Sequence, residues 1–322
     1  MHYDVFNGDA DGIIALLQLR LAQPRQAQLV TGVKRDIHLL AKVDWQPGDS
    51  ATVLDISMAK NHQPLEQALA RGVEVMYVDH HQSGEVPHHP SLTAHIDLAA
   101  NTCTSLIVDQ LLDGEFRLWA IVAAYGDNLI DRADQLAVEA GLDHGQAGAL
   151  KQLGTLINYN GYGEQISDLH YPPDELFRQL LAYPNPLTLI ADHDSPYSRL
   201  QRAYQQDMAS VQQLDAAYQS ASLQLFILPD QPSSRRVSGV FGNWLANQFP
   251  HQAQAVLTVN ADGGYLVSLR APLNNKQGAG DVCSQFATGG GREAAAGINH
   301  LAATDLQQFI AAVERRYGDQ EQ

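Results

Sequence analysis

Val73-Glu74-Val75-Met76-Tyr77-Val78-Asp79-His80-His81 is the stretch that decides the fold. Its apolar run, broken only by Glu74, reads as a short buried strand. Three polar, metal-competent side chains follow directly. In an open parallel sheet, ligands bind at the carboxyl ends of strands, which puts Asp79, His80 and His81 at the rim. Taken alone, the two histidines read equally well as surface loop residues. The same pattern, apolar segment then acidic residue, recurs three times. Tyr3 to Phe6 runs into Asn7-Gly8-Asp9-Ala10-Asp11-Gly12, Ala51 to Leu54 ends in Asp55, and Leu118 to Tyr125 ends in Gly126-Asp127-Asn128. Four such clusters point to a dinuclear metal site. Hard divalent cations take carboxylate oxygens, imidazole suits Mn, Fe and Zn, and paired metals are commonest in phosphate-ester chemistry. The plainer alternatives are ordinary ones: Asp-Gly is a common turn dipeptide, and Asp127 could simply cap a helix.

The set Asn7-x-Asp9-x-Asp11-Gly12, Asp55, Asp79-His80-His81 and Asp127 resembles the four motifs of the DHH phosphoesterase superfamily. That group includes RecJ-type exonucleases, family II pyrophosphatases, nanoRNases and cyclic-dinucleotide phosphodiesterases. Toward the other end, Gly289-Gly290-Gly291-Arg292-Glu293-Ala294-Ala295-Ala296-Gly297 is similar to the glycine-rich signature of the companion DHHA1 domain. The motifs run from residue 7 to residue 297, so the resemblance covers nearly the whole chain. It implies an α/β protein, with a parallel-sheet DHH domain and a second, smaller α/β DHHA1-like domain.

The resemblance also implies roles. Asn7, Asp9, Asp11, Asp55, His80 and Asp127 would hold two Mn²⁺ ions, with Mg²⁺ or Co²⁺ as substitutes. Asp55 would bridge the ions, and Asp9 and Asp11 would face different ones. Asp79 would orient an imidazole, His81 would contact the scissile phosphate, and a water between the metals would be the nucleophile. Ser268, Arg270, Gly289, Gly290, Gly291 and Arg292 would bind substrate phosphate. Two departures stand out. Many members place a histidine four residues before the first aspartate, or an aspartate two before it, and this chain has Val5 and Asn7 there. Arg292 stands where dinucleotide-cleaving members often have histidine. Lys34, Arg35 and Arg132 are further cations near the sheet rim, read as surface charges.

Composition agrees. The 322 residues, 45% hydrophobic, suit two globular cores. No run of 18 or more apolar residues occurs, so no membrane span is expected. The first strand begins at once, which leaves no room for a signal peptide, and a cytoplasmic home is expected. Cys103 and Cys283 suit neither a zinc knuckle nor a disulfide framework. The net charge of −16, without any Lys/Arg-rich run, argues against a long nucleic acid, whose grip needs a basic face.

In chain order, strands are expected at 3–6, 28–31, 51–54 and 73–78, and helices at 12–21, 36–43, 63–71, from 97 through 112, and over 118–157. Thr102 or Thr104 is the expected cap of the 97–112 helix. Asn158 to Gly163 reads as a turn-rich loop. The first domain is expected to span 1–191 and to be followed by a connecting helix at 192–221. The second, 222–322, should hold strands at 223–228, 255–260 and 264–270, with helices at 240–248, 282–288, 293–298 and 306–317. The activity expected is hydrolysis of phosphodiesters in short oligonucleotides or linear dinucleotides, in the manner of nanoRNases. The alternatives are a pAp-type nucleotide phosphatase, a cyclic-dinucleotide phosphodiesterase, or a non-catalytic nucleotide-binding protein. A homodimer stays open.

Overall fold

The computed structural model describes residues 1–260 and 262–318. The chain divides into two compact units, Met1–Arg202 and a second beginning at Ala203.

The first unit opens with β1 (His2–Phe6), α1 (Ala10–Ala22), β2 (Gln28–Val30), β3 (Ser50–Leu54), α2 (His62–Ala70), β4 (Glu74–Asp79) and β5 (Leu92–Ile96). These strands form one parallel sheet in the order β2-β1-β3-β4-β5. A parallel sheet is covered on both faces, which is why the strands read as near-continuous apolar runs. One face packs under Leu39, Leu40, Trp45 and α2. The other lies against α1, which is buried from Ala10 to Gln18 and so must be surrounded by protein. Its surroundings are α3 (Thr104–Leu111), α4 (Arg117–Gly126), α6 (His144–Gly161) and α7 (Pro173–Leu180), with α5 (Ile130–Glu139) against α4 and α8 (Pro186–Ala191) against α6. α7 and α8 each begin with proline at the first helical position, where a missing N–H costs nothing.

Helix α9 (Pro196–Val211) carries the chain across the division between the units. The second unit holds β6 (Tyr218–Gln219), β7 (Leu223–Leu228), α10 (Pro232–Gln248), β8 (Ala253–Val259), β9 (Tyr265–Arg270), α11 (Ala279–Cys283), β10 (Gly289–Gly291), β11 (Ala295–Leu301) and α12 (Leu306–Tyr317). Its mixed sheet runs β10-β11-β9-β8-β7-β6, with β7 and β8 parallel and the other pairs antiparallel. Leu225, Leu257, Val267, Ile298 and Phe309 are part of its own core.

Several local expectations give way: among them, the helix expected at 282–288 ends at Cys283, and that over 118–157 is broken into α4, α5 and α6. β5 has no counterpart among the expected strands; as an edge strand with half-buried residues it carries no clear apolar run. The helix expected from Asp97 starts at Thr104, with Cys103 rather than a threonine as its N-cap. Asn158 to Gly161 are helical, because the polar side chains that suggest a turn are partnered inside. The Asn160 amide donates to the Tyr171 carbonyl (2.8 Å) and accepts from the His170 and Tyr171 N–H groups (3.1 Å each). Residues 293–298, expected as helix, belong largely to β11, which pairs with the triple glycine as a hairpin.

Candidate metal centre

The three motif-bearing strands lie side by side, in register. Phe6 pairs with Leu54, and Leu54 with Val78. The ladder runs one step further: the Asn7 N–H donates to the Leu54 carbonyl (3.2 Å) and the Asp55 N–H to the Val78 carbonyl (3.1 Å). Asn7, Asp55 and Asp79 therefore stand abreast at the carboxyl edge of the sheet. With this strand order the edge is a switch point between β1 and β3, where open α/β sheets bind ligands. Asp55 has φ 58, a left-handed conformation uncommon outside glycine. Such strain concentrates at functional sites, and Asp55 is also 2% exposed.

His80 and His81 differ in their hydrogen bonds. Nδ1 of His80 lies 3.0 Å from the Thr102 carbonyl, which can only accept. That nitrogen carries a proton, and Nε2, 3.4 Å from Asp55 Oδ1 and 3.7 Å from Asp11 Oδ2, is the nitrogen left for a metal ion. Nδ1 of His81 instead donates to Asp79 Oδ1 at 2.7 Å, which fixes the second imidazole with its Nε2 edge turned elsewhere. Asp55, His80 and His81 offer donor atoms within 4.8 Å of one another. Both rings hold Nδ1 on an acceptor, His80 on a backbone carbonyl and His81 on a carboxylate, and Nε2 of His80 faces the Asp11 and Asp55 oxygens.

Asp11 serves the fold as well as the site. Its two oxygens accept from the Thr104 and Ser105 N–H groups, both at 2.7 Å. A carboxylate from α1 thus caps α3, where charge at a helix N-terminus is favoured. Thr104 Oγ1 donates to Asp55 Oδ1 (3.2 Å). Cys103 is fully buried beside Asp11. Burial first, then the Asp11 and Asp127 charges, push its thiol well above the usual range, so it is an inert thiol at neutral pH.

Asp9 and Asn7 are engaged differently. Asp9 Oδ1 accepts from the Asp11 and Gly12 N–H groups (3.1 Å each), capping α1. Asp9 Oδ2 is ion-paired with Lys34 Nζ, which also donates to Asn158 Oδ1 at 3.1 Å. Lys34 is read from sequence as a surface charge; its side chain is 23% exposed and sits in the centre. Burial pushes the Asp9 carboxyl up, but the Lys34 ammonium outweighs it and holds Asp9 below the ordinary value. The Asn7 amide serves the backbone, with Oδ1 accepting from the Asp9 N–H (3.2 Å) and Nδ2 donating to the Lys34 carbonyl (3.1 Å). Asp127, at the C-terminal end of α4, is near enough to raise the carboxyls of both Asp9 and Asp55 by its charge. Two glycines allow its approach: a Cβ on Gly154 would lie 2.2 Å from the Val122 carbonyl oxygen, and one on Gly126 would lie 2.6 Å from Ala10 Cβ. α4 and α6 cross in contact there. Of the other two cations read from sequence, Arg35 directly follows Lys34, and Arg132 bonds Gln135 on its own helix.

The residues fit a divalent cation. Asp11 Oδ2, Asp55 Oδ1 and His80 Nε2 form a mixed carboxylate–imidazole donor set. The 3.4 and 3.7 Å from His80 Nε2 to the two oxygens are near the roughly 3 Å between neighbouring ligands at about 2.1 Å from one ion. Asp55 is pushed well above the usual carboxylate range, first by burial, then by the charges of Asp11, Asp9, Asp79 and Asp127. Asp79 Oδ2 is buried without a hydrogen-bond partner. A cation would relieve both.

In the second unit, Ser268, Arg270 and Arg292 gather at one end of the sheet. Arg270 pairs across β9 and β11 with Ala295, whose carbonyl accepts from the Arg292 N–H (2.9 Å). Arg270 is 9% exposed, and its guanidinium donates to Asn243 Oδ1 (2.6 Å), Ser268 Oγ (3.0 Å) and the Leu269 and Gly239 carbonyls (3.1 and 3.3 Å). Gly289 to Gly291 form the edge strand β10 rather than a loop. Ser268 and Arg270 thus support one another, and Arg292 sits in the turn beside them.

No family model matches the sequence, and no curated protein matches it. Solved structures do. A RecJ exonuclease bound to manganese aligns with a TM-score of 0.60 and 16% identity, over 99% of this chain and 90% of that one. A pGpG-specific phosphodiesterase, PggH from Vibrio cholerae, aligns with a TM-score of 0.58 and 14% identity over 99% of both chains. RecJ from Thermus thermophilus, in complex with Mn²⁺, aligns with a TM-score of 0.54 and 16% identity, over 98% of this chain and 52% of that one. Among the described residues no helix is long and apolar enough to cross a membrane. The chain shares the fold of these structures, a parallel sheet carrying the acidic and histidine motifs followed by a second α/β unit.

Proposed function

We propose that this chain is a divalent-cation-dependent phosphoesterase that hydrolyses phosphodiester bonds in short oligonucleotides or linear dinucleotides. The observation that carries the reading is the convergence of Asp11 Oδ2 and Asp55 Oδ1 on His80 Nε2. The cation, Mn²⁺ by preference with Mg²⁺ or Co²⁺ as substitutes, would supply Lewis acidity and make a bound water acidic enough to attack near neutral pH. Asp55, His80 and Asp11 hold that charge, and the Thr102 carbonyl keeps His80 in the tautomer that can do so. His81, oriented by Asp79, turns its other edge toward the substrate, where the ring as an imidazolium would donate to a phosphoryl oxygen and stabilise developing negative charge. The other ion that the resemblance implies would draw on Asp9 and Asn7, and Lys34 already lies against Asp9.

Substrate size rests on three supports. The net charge of −16 disfavours gripping a long polyanion. The likeness to a pGpG-specific phosphodiesterase spans nearly all of both chains. Arg292, in the turn beside the Ser268–Arg270 pair, is the cation of the second unit suited to one terminal phosphate. A panel of linear dinucleotides, pAp, cyclic dinucleotides and short RNAs, read by product chromatography in Mn²⁺, tests the assignment. Turnover of linear dinucleotides or short RNAs well above the others supports it. Preference for pAp or for the cyclic compounds replaces it with that activity.

A further inference from the structure

We infer that Lys34 takes the place of a second metal ion, so that the centre binds one divalent cation per chain. The inference rests on the cation-binding part of the proposed function and fixes its stoichiometry. Each donor that a second ion would draw on at the β1 end is committed to something else. Asp9 Oδ1 caps α1 and Asp9 Oδ2 is paired with the Lys34 ammonium. Both ends of the Asn7 amide hold backbone groups. Val5 is apolar and fully buried in the sheet.

Lys34 is held there by more than its own flexible stem. Its N–H donates to the Gly161 carbonyl at 2.9 Å, and its carbonyl accepts from Asn7 Nδ2 at 3.1 Å. The ammonium then meets Asp9, Asn158 Oδ1 at 3.1 Å, and the face of Tyr162, whose ring centroid lies 5.4 Å away. That is a built cation pocket with a carboxylate, an amide oxygen and an aromatic face, filled by a side chain of the same protein. Asn7 takes part on both counts: as an amide it removes the charge that an aspartate would give a metal, and its N–H₂ anchors the lysine. Lys34 and His80 stand on different carboxylates, Asp9 and Asp11/Asp55, so the remaining donor set is left open for one ion.

Charge draws in a cation beyond Lys34. Asp9, Asp11, Asp55, Asp79 and Asp127 bring five negative charges, and Lys34 cancels one. A divalent cation would offset two of the four that remain.

The test counts ions. Metal-stripped wild-type protein is dialysed against excess MnCl₂, bound Mn²⁺ is measured by elemental analysis, and its state is read by electron paramagnetic resonance. One equivalent, with the resolved hyperfine lines of an isolated ion, is expected. Lys34→Met should admit a second equivalent and give the broadened, exchange-coupled signal of a pair, and Lys34→Arg should stay at one. Two equivalents in the wild type overturn the inference while leaving the phosphoesterase reading intact. One equivalent in folded Lys34→Met overturns the role of Lys34. No bound ion in the wild type overturns both readings. If Lys34→Met does not fold, the wild-type count and signal decide alone.

Discussion

Asp55→Asn should separate the metal role of Asp55 from its structural one. The amide is nearly the same size, tolerates the left-handed backbone at φ 58, and keeps an oxygen for the Thr104 hydroxyl. It removes the charge that burial and four neighbouring carboxylates make costly. A ligand that binds only the folded state stabilises it by about 2.7 kcal/mol at one hundred times its Kd. For a unit the size of Met1–Arg202, each kcal/mol moves Tm by about 2–4 °C, so Mn²⁺ at that excess should raise the wild-type Tm by roughly 5–10 °C. In Asp55→Asn the rise should shrink to about 1–2 °C, while the metal-free Tm stays equal to the wild type or exceeds it. The pH dependence follows the same logic. A carboxyl raised in the folded state contributes its full stability below the ordinary carboxylate range and loses it as pH climbs through the raised value. Metal-free wild type should therefore weaken as pH rises over that interval, the Mn²⁺-induced rise should widen, and Asp55→Asn should flatten both trends. Differential scanning calorimetry in EDTA and in Mn²⁺ across pH reads all of this. A wild-type-sized Mn²⁺ shift in the variant would refute Asp55 as a ligand.

Asp11→Ala should lower metal-free stability by about 3 kcal/mol, since two hydrogen bonds from the α3 N-terminus to a charged acceptor are lost; an unchanged urea midpoint in EDTA would contradict the capping role. Asp79→Ala should cut kcat by about 10–100-fold by freeing the His81 ring, with Mn²⁺ affinity nearly unchanged. A large loss of affinity in calorimetric titration would make His81 a ligand instead. Arg292→Ala should weaken a 5′-phosphorylated dinucleotide by about 1.5–3 kcal/mol, or one to two decades in kcat/KM, and spare an activated aryl phosphodiester. Equal losses on both would remove the terminal-phosphate role.

Much of the site is legible in the sequence because strands carry a period and end sharply. Asp55 and Asp79-His80-His81 each close an apolar run, and the register that sets β1, β3 and β4 abreast follows from a parallel sheet. The difference between His80 and His81 is not legible, since it depends on the Thr102 carbonyl and on Asp79. Lys34 is the plainest loss. A lone lysine after Gly32-Val33 gives no local sign of burial; its place is set by Asn7 and by the far end of α6, some 124 residues away in sequence. Asp11 as the cap of α3 is hidden for the same reason, because the acceptor lies 93 residues from the N–H it serves. In the second unit, the glycine run reads as a cradle or a strand with equal ease, and only its pairing with β11 decides.

Hydrolysis of a short RNA or linear dinucleotide by the metal-stripped protein, with and without added Mn²⁺ and beside His80→Ala, tests the central claim most directly. The account predicts product only when Mn²⁺ is present, with a loss of two decades or more in His80→Ala. Equal turnover in EDTA, or a folded His80→Ala variant with wild-type activity, would contradict it.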